Sequence, residues 1–166
     1  MTAEQLAPFL AKFDEKDTKK KGAIKIAEFK ALFPEIMGGD TSAETAEMYF
    51  KGIDIDNSGT VSRQEFSDFV TAALNKDQNY IIKMAFRSFD QDRSKNLDSK
   101  EVKAIAKYVG RDMTDDEVSN AMESITGKKK GKLTYAQVVK MITGKEIDAN
   151  TDPYDGKLKS KCCILI

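Results

Sequence analysis

One acidic stretch of the chain has oxygen-bearing side chains at a spacing that suits a metal ion. Numbered from its first residue, such side chains stand at positions 1, 3, 5 and 12: Asp54, Asp56, Ser58 and Glu65. A tight loop turns alternate residues inward, and the main-chain carbonyl of Thr60 at position 7 adds a further oxygen. Ca²⁺ is a hard cation that takes about six to eight oxygens at about 2.3–2.6 Å. The stretch therefore predicts a calcium loop, in which Glu65 supplies two oxygens.

Two further positions in this stretch fit a loop that closes around an ion. Gly59 stands at position 6, where the chain must make a left-handed turn that a residue with a Cβ atom resists. Val61 at position 8 is β-branched and apolar. The alternative is an acidic surface turn between two helices, which would have to match all these positions by accident. We therefore interpret residues 54–65 as a metal site.

A second stretch, residues 90–101, repeats the pattern with one departure. Its expected ligands are the side chains at positions 1, 3, 5, 9 and 12 and the main-chain carbonyl at position 7: Asp90, Asp92, Ser94, Asp98, Glu101 and Asn96. Lys95 occupies position 6, and forcing a residue with a Cβ atom into the left-handed region costs about 1–2 kcal/mol. Four carboxylates, one more than residues 54–65 provide, offset that strain. We expect both stretches to bind, which gives two Ca²⁺ ions per chain.

Two other stretches, residues 17–28 and 126–137, keep the outline of the loop but lose its ligands. Lysines occupy positions 3 and 5 of both: Lys19, Lys21, Lys128 and Lys130. An ammonium group has no lone pair and repels a cation, so we expect neither stretch to hold Ca²⁺. A register that begins at Asp14 would make the first of these loops three residues too long, and we therefore prefer a start at Asp17.

The four loops recur at nearly constant spacing along the chain. They begin at residues 17, 54, 90 and 126, which lie 37, 36 and 36 residues apart. Apolar residues at helical spacing flank each loop, so each loop is expected to join two helices. The position-8 residues should pair as short antiparallel strands, first loop with second and third with fourth: Ile24, Val61, Leu97 and Leu133. The repeat predicts an all-α fold of four helix–loop–helix units in two paired lobes.

Capping signals and helix breakers set the expected boundaries. A serine or threonine followed three residues later by glutamate or glutamine predicts a helix start at four places: Thr2, Thr41, Ser62 and Thr114. Pro34 and Gly38 are expected to end the second helix. We place the first lobe at residues 1–75 and the second at residues 76–144. The linker at residues 75–79 lacks proline and glycine and is either helical or melted.

The composition argues against several classes of function. Lysine plus arginine and aspartate plus glutamate number 27 each, so no net charge attracts the chain to nucleic acid. Histidine is absent, which removes the usual general base, and we expect no enzyme. The first residues do not form a signal peptide, and no apolar run approaches the ~20 residues of a membrane span. We therefore expect a cytoplasmic monomer.

The calcium loop and the start of the chain resemble a known family. Residues 2–9, Thr-Ala-Glu-Gln-Leu-Ala-Pro-Phe, are similar to the N-terminus of calmodulin-type proteins. Residues 53–61, Ile-Asp-Ile-Asp-Asn-Ser-Gly-Thr-Val, and residues 64–66, Gln-Glu-Phe, closely resemble an EF-hand. As far as residue 143 the chain thus looks like a four-EF-hand protein of the calmodulin superfamily. The resemblance implies lobes that open on binding Ca²⁺ and grip amphipathic helices of target proteins.

The resemblance favours a calcium sensor, which changes conformation with the ion and engages a target protein. Two alternatives stay open. One alternative is a light-chain-like subunit, which binds a target helix whatever the calcium level. The other is a calcium buffer. The lysines of the first and fourth loops depart from the calmodulin pattern, so binding of four ions is not expected.

The end of the sequence carries a lipidation motif. Residues 145–160 are polar and lack an apolar period, so we expect residues 145–166 to form a flexible tail. The last four residues, Cys-Ile-Leu-Ile, fit the C-a-a-X pattern with Cys163 as the prenylated thiol, and Cys162 is a candidate for palmitate. Three lysines would strengthen attraction to an anionic membrane: Lys157, Lys159 and Lys161. We therefore expect a lipid anchor to bring the protein to membranes.

Overall fold

The structure is a computed structural model in which residues 3–39, 41–108, 111–128 and 130–155 are described. The first half contains α1 (Ala3–Lys16), β1 (Ala23–Lys25), α2 (Ile26–Met37), α3 (Ala43–Ile53), β2 (Thr60–Ser62) and α4 (Arg63–Leu74). The second half contains α5 (Gln78–Phe89), β3 (Asn96–Leu97), α6 (Ser99–Tyr108), α7 (Asp115–Thr126), β4 (Leu133–Thr134) and α8 (Tyr135–Thr143). None of the helices in these ranges combines the length and the apolar character that a membrane span requires.

The position-8 residues pair as the repeat predicts. β1 and β2 run antiparallel with Ile24 opposite Val61, and β3 and β4 run antiparallel with Leu97 opposite Leu133. All four side chains are fully buried. A two-stranded sheet therefore ties the two loops of each lobe together. This confirms the all-α fold of four helix–loop–helix units in two paired lobes.

In each lobe an aromatic contact joins the first helix to the last. In the first lobe the rings of Phe13 in α1 and Phe66 in α4 have centroids 5.0 Å apart. In the second lobe the ring of Phe86 in α5 meets that of Tyr135 in α8 edge-on at 5.2 Å. Burial of a phenylalanine contributes about 1.5–3 kcal/mol, so these contacts fix the helices that carry the loops.

Two of the predicted helix starts are confirmed and one is wrong. Ser62 and Thr114 each form a capping box with the glutamate three residues on. The third helix, however, is capped by Ser42, whose hydroxyl accepts from the N–H of Thr45 at 3.1 Å, and not by Thr41. Both residues offer the same hydroxyl group, and the sequence pattern did not distinguish between them. The prediction at Thr2 lies outside the described residues.

Pro34 was predicted to help end the second helix, but it does not. α2 continues through it to Met37, and Gly38 then takes the left-handed conformation with φ of 73°. The carbonyl of Pro34 still accepts a hydrogen bond from the N–H of Gly38 at 3.1 Å. Proline removes only its own N–H donor, and one lost hydrogen bond near the end of a packed helix is tolerated. Gly38 is therefore the actual terminator.

A tight turn joins the lobes where a helical or melted linker was expected. α4 ends at Leu74, Lys76 adopts a positive φ of 52°, and α5 begins at Gln78. The carboxylate of Asp77 accepts from the N–H groups of Asn79 and Tyr80 and so caps α5. The connection is short and hydrogen-bonded.

The lobes also contact each other directly through α3 and α5. A Cβ atom built on Gly52 in α3 would lie 2.6 Å from the carbonyl oxygen of Met84 in α5, so only glycine allows this approach. The buried guanidinium of Arg87 donates from Nε to the carbonyl of Gly52 at 2.6 Å. In addition, Tyr80 and Met84 of α5 pack into the core of the first lobe. The two incoming helices thereby hold the second and third loops side by side.

Residues 145–155, for which the sequence predicts flexibility, differ from that expectation. Ile147 packs against the core of the second lobe, and Pro153 is buried. The carbonyl of Pro153 accepts from Nη1 of Arg87 at 2.9 Å. The polar composition concealed these contacts because main-chain atoms and single apolar residues make them. Residues 156–166, including Cys162 and Cys163, lie outside the described part of the chain.

Candidate metal centres

The second loop presents its carboxylates through main-chain hydrogen bonds. Asp54 follows α3 directly and is 3% exposed. Its Oδ1 accepts from the N–H of Ser58 and its Oδ2 from the N–H of Gly59, both at 3.0 Å. Oδ1 of Asp56 also accepts from the N–H of Ser58 at 3.0 Å. The N–H groups of the loop thus orient two carboxylates.

Glu65 closes the same loop from the first turn of α4. Its Oε1 accepts from the N–H of Ile55 at 2.8 Å, and its Oε2 from the N–H of Ser62 at 2.9 Å. One carboxylate oxygen from each of Asp54, Asp56 and Glu65 lies within 4.8 Å of the others. The structure therefore brings together the three acidic residues that were predicted as ligands from the sequence.

The remaining predicted ligands of this loop lie next to each other. The hydroxyl of Ser58 donates to the carbonyl oxygen of Thr60 at 3.1 Å. Positions 5 and 7 thereby bring a side-chain and a main-chain oxygen together. Gly59 has a φ of 73°, which is the left-handed turn expected of position 6.

The third loop reproduces this geometry with a lysine at position 6. Oδ1 of Asp90 accepts from the N–H of Ser94 at 3.0 Å, and Oδ2 accepts from the N–H of Lys95 at 2.9 Å. Lys95 has a φ of 62°, as predicted for its position. Carboxylate oxygens of Asp90, Asp92 and Glu101 again lie within 4.8 Å of one another. The strain at Lys95 does not prevent the ligands from converging.

The three remaining predicted ligands of the third loop differ from one another in their surroundings. The hydroxyl of Ser94 donates to the carbonyl of Asn96 at 2.9 Å, which matches the pair in the second loop. Asp98, in contrast, stands outside the acidic group, and its Oδ1 accepts from the N–H groups of Lys100 and Glu101 at 2.8 and 3.0 Å. Its carboxylate therefore caps the start of α6 in this structure.

Burial and hydrogen bonds shift the acidities of these carboxylates in opposite directions. Burial raises the pKa of Asp54 and of Asp90, since it disfavours the charged form. The Ser58 hydroxyl lowers the pKa of Asp56, and the Ser94 hydroxyl and N–H lower that of Asp92 to about 2. Each site thus combines a buried carboxylate with an exposed one that stays ionised. A cation placed between them would relieve their mutual repulsion.

The first loop folds in the same way but lacks the ligands. Asp17 accepts from the N–H groups of Lys21 and Gly22 at 3.1 and 2.6 Å, which confirms the register that starts there. Asp14, the alternative start, pairs instead with the guanidinium of Arg63 at 2.9 Å. Among the described residues, groups of three acidic ligands occur in the second and third loops and not in this one.

Three residues near the acidic groups were missed by sequence reasoning. Nζ of Lys132 lies 3.3 Å from Oδ2 of Asp92 and 3.3 Å from the hydroxyl of Ser94. The hydroxyl of Tyr154 donates to Oδ2 of Asp90 at 2.9 Å, and Arg93 donates to main-chain carbonyls of the second loop. Lys132 could have been found, because it precedes Leu133, which pairs with Leu97. Tyr154 and Arg93 carry no comparable signal.

The donor chemistry of both groups fits calcium. The converging side chains carry carboxylate and hydroxyl oxygens, and neither group contains cysteine or histidine. Zinc sites typically use thiolate and imidazole ligands, whereas hard cations prefer oxygen. A bound ion would be held by the carboxylates that the loop N–H groups already orient.

Comparison with known proteins gives independent information on the fold family. Residues 33–73 and residues 80–143 each match an EF-hand domain pair. The chain is 28% identical to the caltractin of Naegleria gruberi over 143 residues, which cover 86% of this chain and 82% of that protein. It is 25% identical to human centrin-3 over 145 residues, 87% of this chain and 86% of that protein. It is also 26% identical to a troponin C isoallergen of Blattella germanica over 148 residues, 85% of this chain and 94% of that protein.

Proposed function

We propose, from the premise that this chain is a calcium-binding EF-hand protein related to centrin and caltractin, that it is a calcium sensor for a target protein. The observation that carries the proposal is the convergence of three carboxylates within 4.8 Å in the second loop and again in the third. Each lobe then binds one Ca²⁺ ion, and the strand pair couples that loop to a partner loop that carries lysines. The role is regulatory and not enzymatic.

The proposed ligands are oxygen atoms throughout. In the second loop they are Asp54, Asp56, Ser58, the main-chain carbonyl of Thr60, and Glu65. In the third loop they are Asp90, Asp92, Ser94, the main-chain carbonyl of Asn96, and Glu101. The bound ion gives the buried carboxylates a positively charged partner.

The glutamate at position 12 converts ligation into helix movement. Both oxygens of Glu65 are engaged by N–H groups, from Ile55 and Ser62, and those of Glu101 by Gln91 and Asp98. Each carboxylate oxygen keeps a lone pair beside these hydrogen bonds, and we propose that the carboxylate reorients relative to its donors when both oxygens bind a cation. Because Glu65 and Glu101 lie in the first turns of α4 and α6, those helices shift with them.

The position of the loops favours a sensor over a buffer. The second and third loops follow α3 and α5, whose contact at Gly52 joins the two lobes. Arg93 of the third loop donates to the carbonyls of Asp54 and Ile55 in the second loop at 2.7 and 2.9 Å. A change in either loop is therefore transmitted to the lobe interface. A buffer would need no such connection.

The target is proposed to be an amphipathic helix of another protein, bound by the monomeric chain. Large apolar side chains in the second lobe are 37–51% exposed and lie at or near the ends of their helices: Tyr108, Ile125, Met141 and Ile142. Such side chains suit the apolar face of a helix that carries residues at i, i+3, i+4 and i+7. The shift of α6 with Glu101 would change the surface that Tyr108 helps to form.

A second candidate is a constitutive light-chain-like subunit. The observation that favours it is the close packing of α3 on α5, where Gly52 and Arg87 fix the relative position of the lobes. A protein held in this way could bind its target helix in one conformation at any calcium level. The two candidates differ in whether binding of the target requires the ion.

Calorimetry with variants at position 12 tests the metal sites. We expect two Ca²⁺ ions per wild-type chain and one each for Glu65→Gln and Glu101→Gln, since the amide deletes a charged bidentate ligand. In parallel, a dye for exposed apolar surface should respond to Ca²⁺ if the protein is a sensor. Retention of the target in the presence of a chelator would favour the constitutive subunit, and a silent dye with intact binding would favour a buffer.

A lipid anchor is a separate part of the proposal. Residues 163–166 are Cys-Ile-Leu-Ile, and we propose a prenyl group on Cys163, with Cys162 as a second candidate site. The Cys163→Ser variant should then move from the membrane fraction to the cytoplasmic fraction while Ca²⁺ binding stays intact. Mass spectrometry of the C-terminal peptide from native cells decides the matter, and an unmodified peptide ending in Ile166 would refute the anchor.

A further inference from the structure

The segment of residues 152–155, here called the strap, lies against the third loop. The hydroxyl of Tyr154 donates to Oδ2 of Asp90 at 2.9 Å. The carboxylate of Asp152 pairs with Nζ of Lys95 at 2.6 Å. Two residues of the strap thus reach the side chains at positions 1 and 6 of a single loop, across 57 to 64 residues of sequence.

The strap is itself held in place from several directions. The N–H of Tyr154 donates to Oδ1 of Asp152 at 2.9 Å, which fixes the turn between them. The guanidinium of Arg93 lies over the ring of Tyr154, 5.2 Å from its centroid. The carbonyl of buried Pro153 accepts from Arg87 at 2.9 Å. The tyrosine hydroxyl is therefore aimed at Asp90 by both main-chain and side-chain contacts.

The second loop provides an internal comparison, because among the described residues no side chain from a segment like the strap donates to Asp54. Asp54 accepts from the N–H groups of Ser58 and Gly59, just as Asp90 accepts from those of Ser94 and Lys95. The tyrosine hydroxyl is thus an additional donor, found at the loop whose position 6 is a lysine. It shares Oδ2 with a main-chain N–H and leaves the bonding of Oδ1 the same as in the second loop.

The electrostatics of the third loop give the strap a second effect. Lys95 places an ammonium group on the loop that should attract a cation. Asp152 pairs with that ammonium and so offsets its repulsion. Hydrogen bonds that orient a ligating carboxylate also commonly raise metal affinity, and their removal costs roughly 10–100-fold.

We propose that the strap is a positioning element of the third calcium site, in which Tyr154 orients Asp90 and Asp152 neutralises Lys95. The inference rests on the proposed function, since it requires that this loop bind Ca²⁺. Strap docking and ion binding then strengthen each other by the same factor, because coupling between two binding events is reciprocal. Calcium at the third loop holds the strap down, and loss of the ion loosens it.

Isothermal titration calorimetry in a Glu65→Gln background isolates the third site. There, Tyr154→Phe keeps the ring over Arg93 but removes the hydroxyl, and we expect affinity for Ca²⁺ to fall about tenfold, or ~1.4 kcal/mol. Asp152→Asn should weaken binding by a smaller factor, since its ion pair is partly exposed. The matched control is Asp148→Asn, which changes a carboxylate that lies four residues before the strap and accepts hydrogen bonds from Asn150.

A Glu101→Gln background separates positioning from general destabilisation. In that background only the second loop is left to bind, and Tyr154→Phe should leave its affinity unchanged. A variant that simply damaged the fold would weaken both sites. The reciprocal effect is measured by hydrogen exchange of residues 147–155, which Ca²⁺ should slow in wild type and in Glu65→Gln but not in Glu101→Gln.

Unchanged or tighter binding by Tyr154→Phe at the third site would overturn the positioning role, while leaving two-site calcium binding intact. Equal weakening at both sites would also overturn it. Absence of any calcium binding by Glu65→Gln alone would instead show that the third loop is not a site. That result refutes the proposed function at this loop together with the inference, and it is visible before any strap variant is made.

Discussion

Arg93 of the third loop donates from Nη2 to the main-chain carbonyl of Asp54 in the second loop, at 2.7 Å. Asp54 begins one of the two acidic loops, and Arg93 stands at position 4 of the other. Nη1 of the same guanidinium donates to the carbonyl of Ile55 at 2.9 Å. One side chain therefore connects the two acidic loops across the boundary between lobes.

Replacement of Arg93 by glutamine should destabilise the contact between lobes. The change removes two charge-assisted hydrogen bonds to partly buried carbonyls. Because the site is partly exposed, each bond contributes no more than about 1.5 kcal/mol, the lower end of the range for bonds to charged groups. We expect the free energy of unfolding, measured with urea, to fall by about 1–3 kcal/mol. The control is Arg111→Gln at an exposed arginine of the second lobe. An equally small effect of both variants would show that Arg93 does not couple the lobes.

Gly52→Ala should destabilise the protein through the helix contact. The new methyl group would lie 2.6 Å from the main-chain carbonyl oxygen of Met84, which cannot rotate away. Such overpacking costs about 1–3 kcal/mol, more than the ~1 kcal/mol that alanine gains over glycine in a helix. Thermal unfolding should show a lower melting temperature.

The matched control for this variant is Gly39→Ala, because a Cβ atom at Gly39 would meet nothing within 4 Å. It tests whether loss of a glycine by itself changes stability. If the two alanine variants had the same melting temperature, α3 and α5 would not be in contact in solution.

The sequence predicted the elements that depend on local pattern. The loop register at Asp17, the pairing of Ile24 with Val61, and the convergence of Asp54 with Glu65 all follow from spacing within about forty residues. Each reflects a repeat in which a glycine, an apolar position and an acidic position recur together. Such a repeat can be recognised in the sequence because every helix–loop–helix unit needs the same loop geometry.

The contacts that sequence reasoning missed do not belong to the repeat. Tyr154 reaches Asp90 and Arg87 reaches Gly52 through single polar contacts, which leave no periodic signal. The polar composition of residues 145–155 pointed to flexibility, because it gave no sign that a buried proline carbonyl and one tyrosine would hold the segment. Such features depend on which surfaces meet after folding.

Acidification should weaken one contact of the first lobe. The hydrogen bond from Arg63 lowers the pKa of Asp14 below its ordinary value of 3.8. A carboxylate with a lowered pKa in the folded state adds stability above that ordinary value and loses it as pH falls through the folded pKa. In urea titrations of the calcium-free protein, Arg63→Gln should therefore be less stable than wild type near pH 7. The difference should shrink below about pH 3.8, and a difference that persists there would have another cause.

The last prediction concerns Lys132, which precedes β4 and lies against two proposed ligands of the third loop. Its ammonium is 3.3 Å from Oδ2 of Asp92 and 3.3 Å from the hydroxyl of Ser94, so it must withdraw when those oxygens turn to a cation. Exposed ion pairs contribute about 0.2–1 kcal/mol, and Lys132→Gln should therefore raise calcium affinity at this site by up to about fivefold. Calorimetry in the Glu65→Gln background measures the change. Lys103→Gln, which breaks an exposed pair with Asp115 away from the loop, is the control, and equal or weaker binding by Lys132→Gln would mean that this lysine does not compete with the ion.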